Sequence, residues 1–233
     1  MTRTKEDFLN GQLLLIDKPL GWSSFQAVNK LKWAIRKKFE LKKIKIGHAG
    51  TLDPLATGLL LVCTGKFTKT INELQGQVKE YTGTISLGAT TQSYDLETEI
   101  NETFETNHIT PALIDKTTAL FIGEIAQRPP VFSALKKDGK RLYEYAREGK
   151  EVEIKTRQVT INEFEITKVA MPNVQFRIVC SKGTYIRSIA HDFGAALKSG
   201  GHLSELRRTK IGSYNVNNAL DPVIFTDELL GKE

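Results

Sequence analysis

Cysteine is scarce: Cys63 and Cys180 are the two in 233 residues, and each sits in an apolar run (LLLVC and FRIVC). A free thiol in such a run behaves as a small hydrophobe, so a disulfide scaffold or a zinc site is excluded as the organising device. Histidine is also sparse. His48, His108, His191 and His202 share no ligand spacing with one another or with the cysteines, and no metal is expected. No apolar run approaches the roughly 18 residues of a membrane span, and the amino end MTRTKEDFLNG lacks the apolar core of a signal peptide. These absences give the reading of a cytoplasmic protein with no membrane partner. No glycine-rich phosphate loop, internal repeat, low-complexity tract or linker is present, so no cofactor is expected.

What remains is an ordinary globular composition, 40% hydrophobic, with a net charge of +6. The charge is unevenly placed. Between Lys30 and Lys45 there are eight basic residues (Lys30, Lys32, Arg36, Lys37, Lys38, Lys42, Lys43, Lys45) against Glu40 alone. From Asp95 to Glu105 the pattern reverses, with Asp95, Glu97, Glu99, Glu102 and Glu105 and no base. A basic block of this kind suits a polyanionic partner, nucleic acid before others. The acidic stretch, from Asp95 to about His108, has few apolar anchors and reads as a surface excursion.

Directly after the basic block stands Gly47-His48-Ala49-Gly50-Thr51-Leu52-Asp53-Pro54-Leu55-Ala56-Thr57-Gly58. Glycines and a proline free or fix the backbone where a chain turns tightly or another molecule approaches, and they surround one carboxylate, Asp53. GHAGTLDPLATG resembles the catalytic motif of the TruB-type tRNA pseudouridine synthases, which modify uridine 55 in the T-loop. The resemblance runs from about Leu13 to Gly212 through three further stretches: LLLIDKPLGWSS, CSKGTYIRSIAHDFG and GHLSELRRT. It implies Asp53 as nucleophile, Arg187 as the arginine paired with it, and Tyr81 as the tyrosine that stacks on the target base. By the same resemblance Tyr185 lines the pocket, Leu206 packs against the base, and His48 fills the space that the base leaves in the RNA. Lys18, with Pro19, either shapes the active-site region or only packs; both readings stand. Without the motifs, Tyr81 and Leu206 would be assigned to the core.

The remaining pattern supplies the elements. Gln12 to Ile16 is a strand ending in a turn at Asp17-Lys18-Pro19-Leu20-Gly21. Ser23 or Ser24 caps a helix with Phe25, Val28, Leu31 and Ile35 on its apolar face. Leu59 to Thr64 is a buried strand; Phe67, Ile71 and Leu74 mark a short helix; Lys79 to Gly88 alternates as a strand with one wet face. Thr110 caps a helix to about Phe121, Ile122 to Gln127 returns to the sheet, and Arg128 to Lys136 is extended. Lys140 to Arg147 is a basic helical stretch with aromatics, suited to phosphate contacts. Strands follow within Glu153–Val169 and over Val174–Cys180, and Thr184 caps a helix that begins with Tyr185 and Arg187.

This irregular mixture predicts an α+β fold with a mixed, mostly antiparallel central sheet and flanking helices, the pseudouridine synthase catalytic fold. Residues 1–233 are expected to form one catalytic domain with a short tail from about 213. The residues after Arg208 leave no room for the full C-terminal PUA-type domain that many members of the resembling family carry.

Turning uridine into pseudouridine exchanges a C1'–N1 bond for a C1'–C5 bond within one pocket and calls for no redox partner. A carboxylate suits it, as in retaining glycosidases. Whether Asp53 attacks the uracil ring or the ribose is open. The resemblance implies tRNA, through its T-loop and stem, as partner, with no obligatory protein partner. Two other readings are a non-catalytic RNA-binding or tRNA-folding protein using the same basic face, and an N-glycoside hydrolase, for which Asp17 or Asp192 would have to be the second carboxylate.

Overall fold

A computed structural model describes residues 3–150 and 152–231. From the amino end come helix α1 (Lys5–Asn10), strand β1 (Leu13–Lys18), helix α2 (Ser24–Lys38), strands β2 (Ile46–His48) and β3 (Ala56–Thr64), a 3-10 turn running into α3 (Ile71–Gly76), and β4 (Lys79–Leu87). Next are β5 (Ala89–Thr91), β6 (Ile100–Thr103), α4 (Pro111–Ala119), β7 (Gly123–Gln127), the short pair β8 (Lys136–Lys137) and β9 (Lys140–Arg141), and α5 (Leu142–Arg147). The chain continues through β10 (Arg157–Ala170), β11 (Asn173–Cys180), α6 (Ile186–Ala196), β12 (Gly201–Ile211), β13 (Tyr214–Asn215) and α7 (Pro222–Leu230). The fold is α+β, with a central, mostly antiparallel sheet and flanking helices. It divides into two compact units, Met1–Tyr81 with Arg207–Glu233, and Thr82–Leu206.

In the first unit the strand order is β1-β3-β12-β4, with β2 on β3 and β13 on β12. β1 and β3 run antiparallel, from Leu13 opposite Cys63 to Lys18 opposite Gly58. Strand side chains alternate between faces, so the apolar run of β3 serves two cores. Leu60 and Val62 pack with Leu14, Ile16 and the inner face of α2, while Leu59, Leu61 and Cys63 pack with Leu74, Ile211 and Val216 on the other side. That is why β3 reads as a continuous apolar stretch.

Helix α2 starts at a capping box: Ser23 Oγ accepts from Gln26 N at 3.1 Å, and Gln26 Oε1 accepts from Ser23 N at 2.7 Å. Its inner face is Ser24, Ala27, Val28, Leu31, Ala34 and Ile35. Phe25, expected on that face, is 69% exposed, because the cap fixes a phase that turns position 25 outward. α7 is capped by Asp221, whose Oδ1 accepts from Val223 N at 2.7 Å, and it drives Phe225 into the α2 cluster.

In the second unit the order is β12-β4-β11-β10-β7. Edge and tilted contacts among Phe121, Phe164, Phe176 and Phe193 form its aromatic centre. α6 lies close to the start of β12: a Cβ on Gly194 would stand 2.2 Å from Gly201 N, so only glycine permits that approach. The acidic stretch is a surface excursion only in part. β6 is exposed throughout, but Asp95 is buried, and its carbonyl accepts from the Thr91 and Ser93 hydroxyls at 2.7 and 3.1 Å.

Candidate active site

The Asp53 segment leaves β2 and returns as β3, the two strands pairing at His48 and Val62. Ala49 N donates to Leu61 O at 2.9 Å, after which Gly50, at φ +98, swings the chain off the sheet. Asp53, Pro54, Leu55 and Ala56 then make a turn closed by Ala56 N donating to Asp53 O at 3.1 Å, with proline where its fixed φ suits the bend.

Three devices hold this turn rigid. Ser24, at the first position of α2, accepts from Leu52 N at 2.8 Å and donates to Leu52 O at 3.0 Å. Gly21 N donates to Pro54 O at 2.9 Å, tying the Asp17–Gly21 turn to the residue after Asp53. The third is Arg208 of β12, 1% exposed, whose guanidinium donates to Leu59 O at 2.7 Å, Gly50 O at 3.1 Å and Thr51 O at 3.4 Å. A planar fork of donors can serve three carbonyls at once. Gly58 makes the approach possible: it stands at φ +104, and a Cβ there would lie 2.3 Å from Arg208 O.

Lys18 continues the buried face of β1 after Leu14 and Ile16, so it is an inward-facing lysine with no exposed surface. Its Nζ donates to Trp22 O at 2.6 Å and Pro19 O at 2.9 Å. Burial pulls its pKa down to about 8, while the negative charge of Asp53 acts in the opposite direction. The ammonium and the Asp53 carboxylate are thus electrostatically coupled.

Neighbouring Asp17 points to the other face and forms a bidentate pair with Arg207, 3.0 Å at Nη1 and 2.6 Å at Nη2. His48 is held below its ordinary pKa, first by burial and then by the Arg208 charge, against a backbone bond at Gly50 that favours its proton. Its imidazole is therefore neutral at pH 7. Tyr81, buried on β4, belongs to the same unit as Lys18, His48 and Asp53.

Tyr185, Arg187 and Leu206 lie in the second unit. Thr184 does not cap α6; its hydroxyl turns back to Ser181 O at 3.0 Å. The helix start is pinned from a distance by Gln127, which accepts from Tyr185 N at 2.8 Å and donates to Tyr185 O at 3.0 Å. The Arg157 guanidinium sits over the Tyr185 ring, 4.5 Å from its centroid. Arg187 is buried, donating to Phe132 O at 2.9 Å and Ser93 O at 3.2 Å, with Asp95 Oδ2 3.5 Å from its Nε. Leu206 ends this unit's part of β12, one residue before Arg207.

The sequence offered Ser24 only as an alternative helix cap, a place that Ser23 takes, and Asp95 only as part of a surface stretch; it assigned no role to Gln127, Arg207 or Arg208. A signal existed for the arginines. Adjacent residues on a strand point to opposite faces, so once Arg207-Arg208 is placed on β12, one of the two has to go inward. Among the described residues, no cluster of three or more His, Cys, Asp or Glu could hold a metal, and no helix is long and apolar enough to cross a membrane.

Residues 36–186 match the TruB family pseudouridylate synthase (N terminal domain), and residues 187–228 match the tRNA pseudouridylate synthase B C-terminal domain. The chain is 66% identical over 227 residues to a protein of Flavobacterium johnsoniae named tRNA pseudouridine synthase B, covering 97% of this chain and 99% of that one. Among solved structures it is similar to a chain of a Cbf5-Nop10-Gar1 complex, with TM-score 0.70 and 29% identity, covering 97% of this chain and 56% of that one. It is also similar to a chain of an H/ACA RNP bound to a substrate RNA containing 2'-deoxyuridine, with TM-score 0.67 and 28% identity, covering 94% of this chain and 53% of that one.

Proposed function

The chain belongs to the TruB family of pseudouridylate synthases and is an isomerase that forms pseudouridine in tRNA; we propose that its target is uridine 55 of the T-loop, that Asp53 is the nucleophile, and that the base is flipped out to reach it. The observation that carries this reading is the Asp53 turn itself. A carboxylate on a loop clamped by Arg208 and Ser24, coupled to the buried Lys18 ammonium, is a preorganised anion. Asp17, one of the two acids that a hydrolase reading would call on, is engaged by Arg207 in a bidentate pair and unsuited to activate a water, which counts against that reading.

In the proposed reaction the uridine leaves its stack, at a cost of a few kcal/mol recovered inside the protein. Tyr81 gives the stacking face, Leu206 and Tyr185 the apolar walls, and His48, neutral, fills the space vacated in the RNA. Asp53 adds to the ring or to C1', the C1'–N1 bond breaks, the uracil turns, and C1' joins C5. The C5 proton is lost with participation of Tyr81, N1 takes one up, and Asp53 is released unchanged. The Asp53 carboxylate and the Lys18 ammonium attract one another, and by the family resemblance Arg187 is the arginine that pairs with the nucleophile. On this reading the enzyme works in the cytoplasm on its tRNA, which it engages through the T-loop and stem.

The test is tritium release from an unmodified tRNA transcript labelled at uracil C5, with EDTA present, comparing the protein with Asp53→Asn. Release by the first at least about a thousandfold faster than by the second, with the product mapped to the T-loop, is the expected result. Equal release by both, or a product outside the T-loop, contradicts the assignment.

A further inference from the structure

Trp33 stands on the outer face of α2, 47% exposed, with Lys37 Nζ 5.1 Å and Lys30 Nζ 5.8 Å from the indole centroid. Beside it runs an open groove of about 600 Å³, with Lys32, Arg36 and Lys42 on its walls and Glu40 as its acid. That volume suits a nucleotide-sized ligand. Arg36 donates its Nε to Leu41 O at 3.2 Å, which orients the guanidinium along the groove.

We propose that this groove is a second RNA-binding site, in which one unpaired or terminal nucleobase of the bound tRNA stacks on Trp33 while Lys32, Arg36 and Lys42 take the adjoining phosphates. The inference rests on tRNA as the substrate. Aromatic faces set among cations are the composition used for single-stranded nucleic acid, the ring taking a base and the cations its backbone. Nothing in the α2 core needs an indole there: the helix buries its other face, and Trp33 lies outside both the apolar clusters of its unit.

Position supports the same occupant. Ser24, at the start of α2, is bonded to Leu52 beside Asp53, and Trp33 follows about 13 Å further along the helix axis. Half a turn separates the two around the axis, so an RNA engaged at Asp53 reaches the groove by passing round α2 rather than along one face. In the free protein the lysines rest against the indole; on binding, the base takes their place and an ammonium moves to a phosphate.

The experiment uses the full chain carrying Trp22→Phe, so that Trp33 is the sole remaining indole of the two. Unmodified tRNA is expected to quench its emission, with a midpoint equal to the Kd measured by filter binding. Trp33→Ala is expected to weaken tRNA binding about five- to a hundredfold, the range of one lost base stack. Lys32→Glu combined with Arg36→Glu and Lys42→Glu is expected to lower the slope of log K against log salt by about two to three. In both variants kcat at saturating tRNA and the far-UV circular dichroism stay unchanged. Unaltered emission and salt slope while tRNA is isomerised would overturn the proposal, as would quenching by polyglutamate at the same concentrations as tRNA, which would point to an acidic protein instead. Quenching by tRNA without any isomerisation would leave this site standing and remove the catalytic reading instead.

Discussion

The guanidinium of Arg208 ends 3.1 Å from the carbonyl oxygen of Gly50, so a strand near the carboxyl end fixes the turn that carries Asp53. The loop owes its shape to a residue that touches none of the chemistry.

Arg208→Leu should therefore lower stability by about 2–5 kcal/mol, since it removes a buried side chain that donates to the buried Leu59 carbonyl and to the half-buried Gly50 and Thr51 carbonyls. Arg208→Lys should recover only part, because one ammonium cannot span three acceptors. Urea unfolding measures both, and hydrogen exchange at Leu52 and Ala56 reports whether the turn has loosened.

Gly58→Ala is expected to cost about 2–5 kcal/mol, from a left-handed φ and a Cβ driven against the Arg208 backbone. Gly139, also at positive φ but with nothing within 4 Å of its would-be Cβ, is the control: Gly139→Ala should cost about 1 kcal/mol. Equal losses at the two positions would mean that the approach of β12 to β3 is looser than described.

Lys18 should titrate near pH 8, measured by NMR of a lysine-labelled sample, against 10.5 for an ordinary lysine. The sign follows from the lowered value. Between about pH 8 and 10.5 the unfolded chain holds a proton that the folded chain has released, so stability from this group rises with pH across that window. The unfolding free energy of the wild-type protein, relative to Lys18→Met, should increase over the same range. A flat difference would mean that the amine is solvated in solution.

His48 behaves in the same sense at lower pH. Its folded pKa lies below 6.5, so its contribution is complete above that value and is lost as the pH falls through the lowered one. Urea midpoints taken between pH 7 and 4 should fall less steeply in His48→Asn than in the wild-type protein.

The sequence carried the local part of this structure. The cap of α2 at Ser23, the period-2 strands and the Thr110 cap all follow from neighbours within a few positions, where propensity and periodicity act. Phe25 shows the limit even there: an apolar residue beside a cap looks like core until the cap sets the phase. Asp95 and Thr184 show the larger limit. An acid in an acidic run reads as solvated, and its burial against Arg187 depends on a partner far along the chain. Likewise a threonine before a helix reads as a cap, yet Gln127, 58 residues away, holds that helix start. The motif residues could be named from resemblance, but the arginine clamp needed the strand partners of β12, which no local pattern specifies.

The first unit is discontinuous, opening and closing the chain, and this has a consequence in time. A ribosome adding about 5–20 residues per second makes Gly50 some 158 residues before Arg208, hence about 8–30 seconds earlier. Asp17 N and the Leu15 carbonyl wait longer still, for Leu220. The whole motif around Asp53 is thus synthesised early and is expected to stay slack until Arg208 and Leu220 have been made. A stalled nascent chain ending at residue 206 should carry Asp53 on a protease-sensitive loop, and adding the final segment should close it.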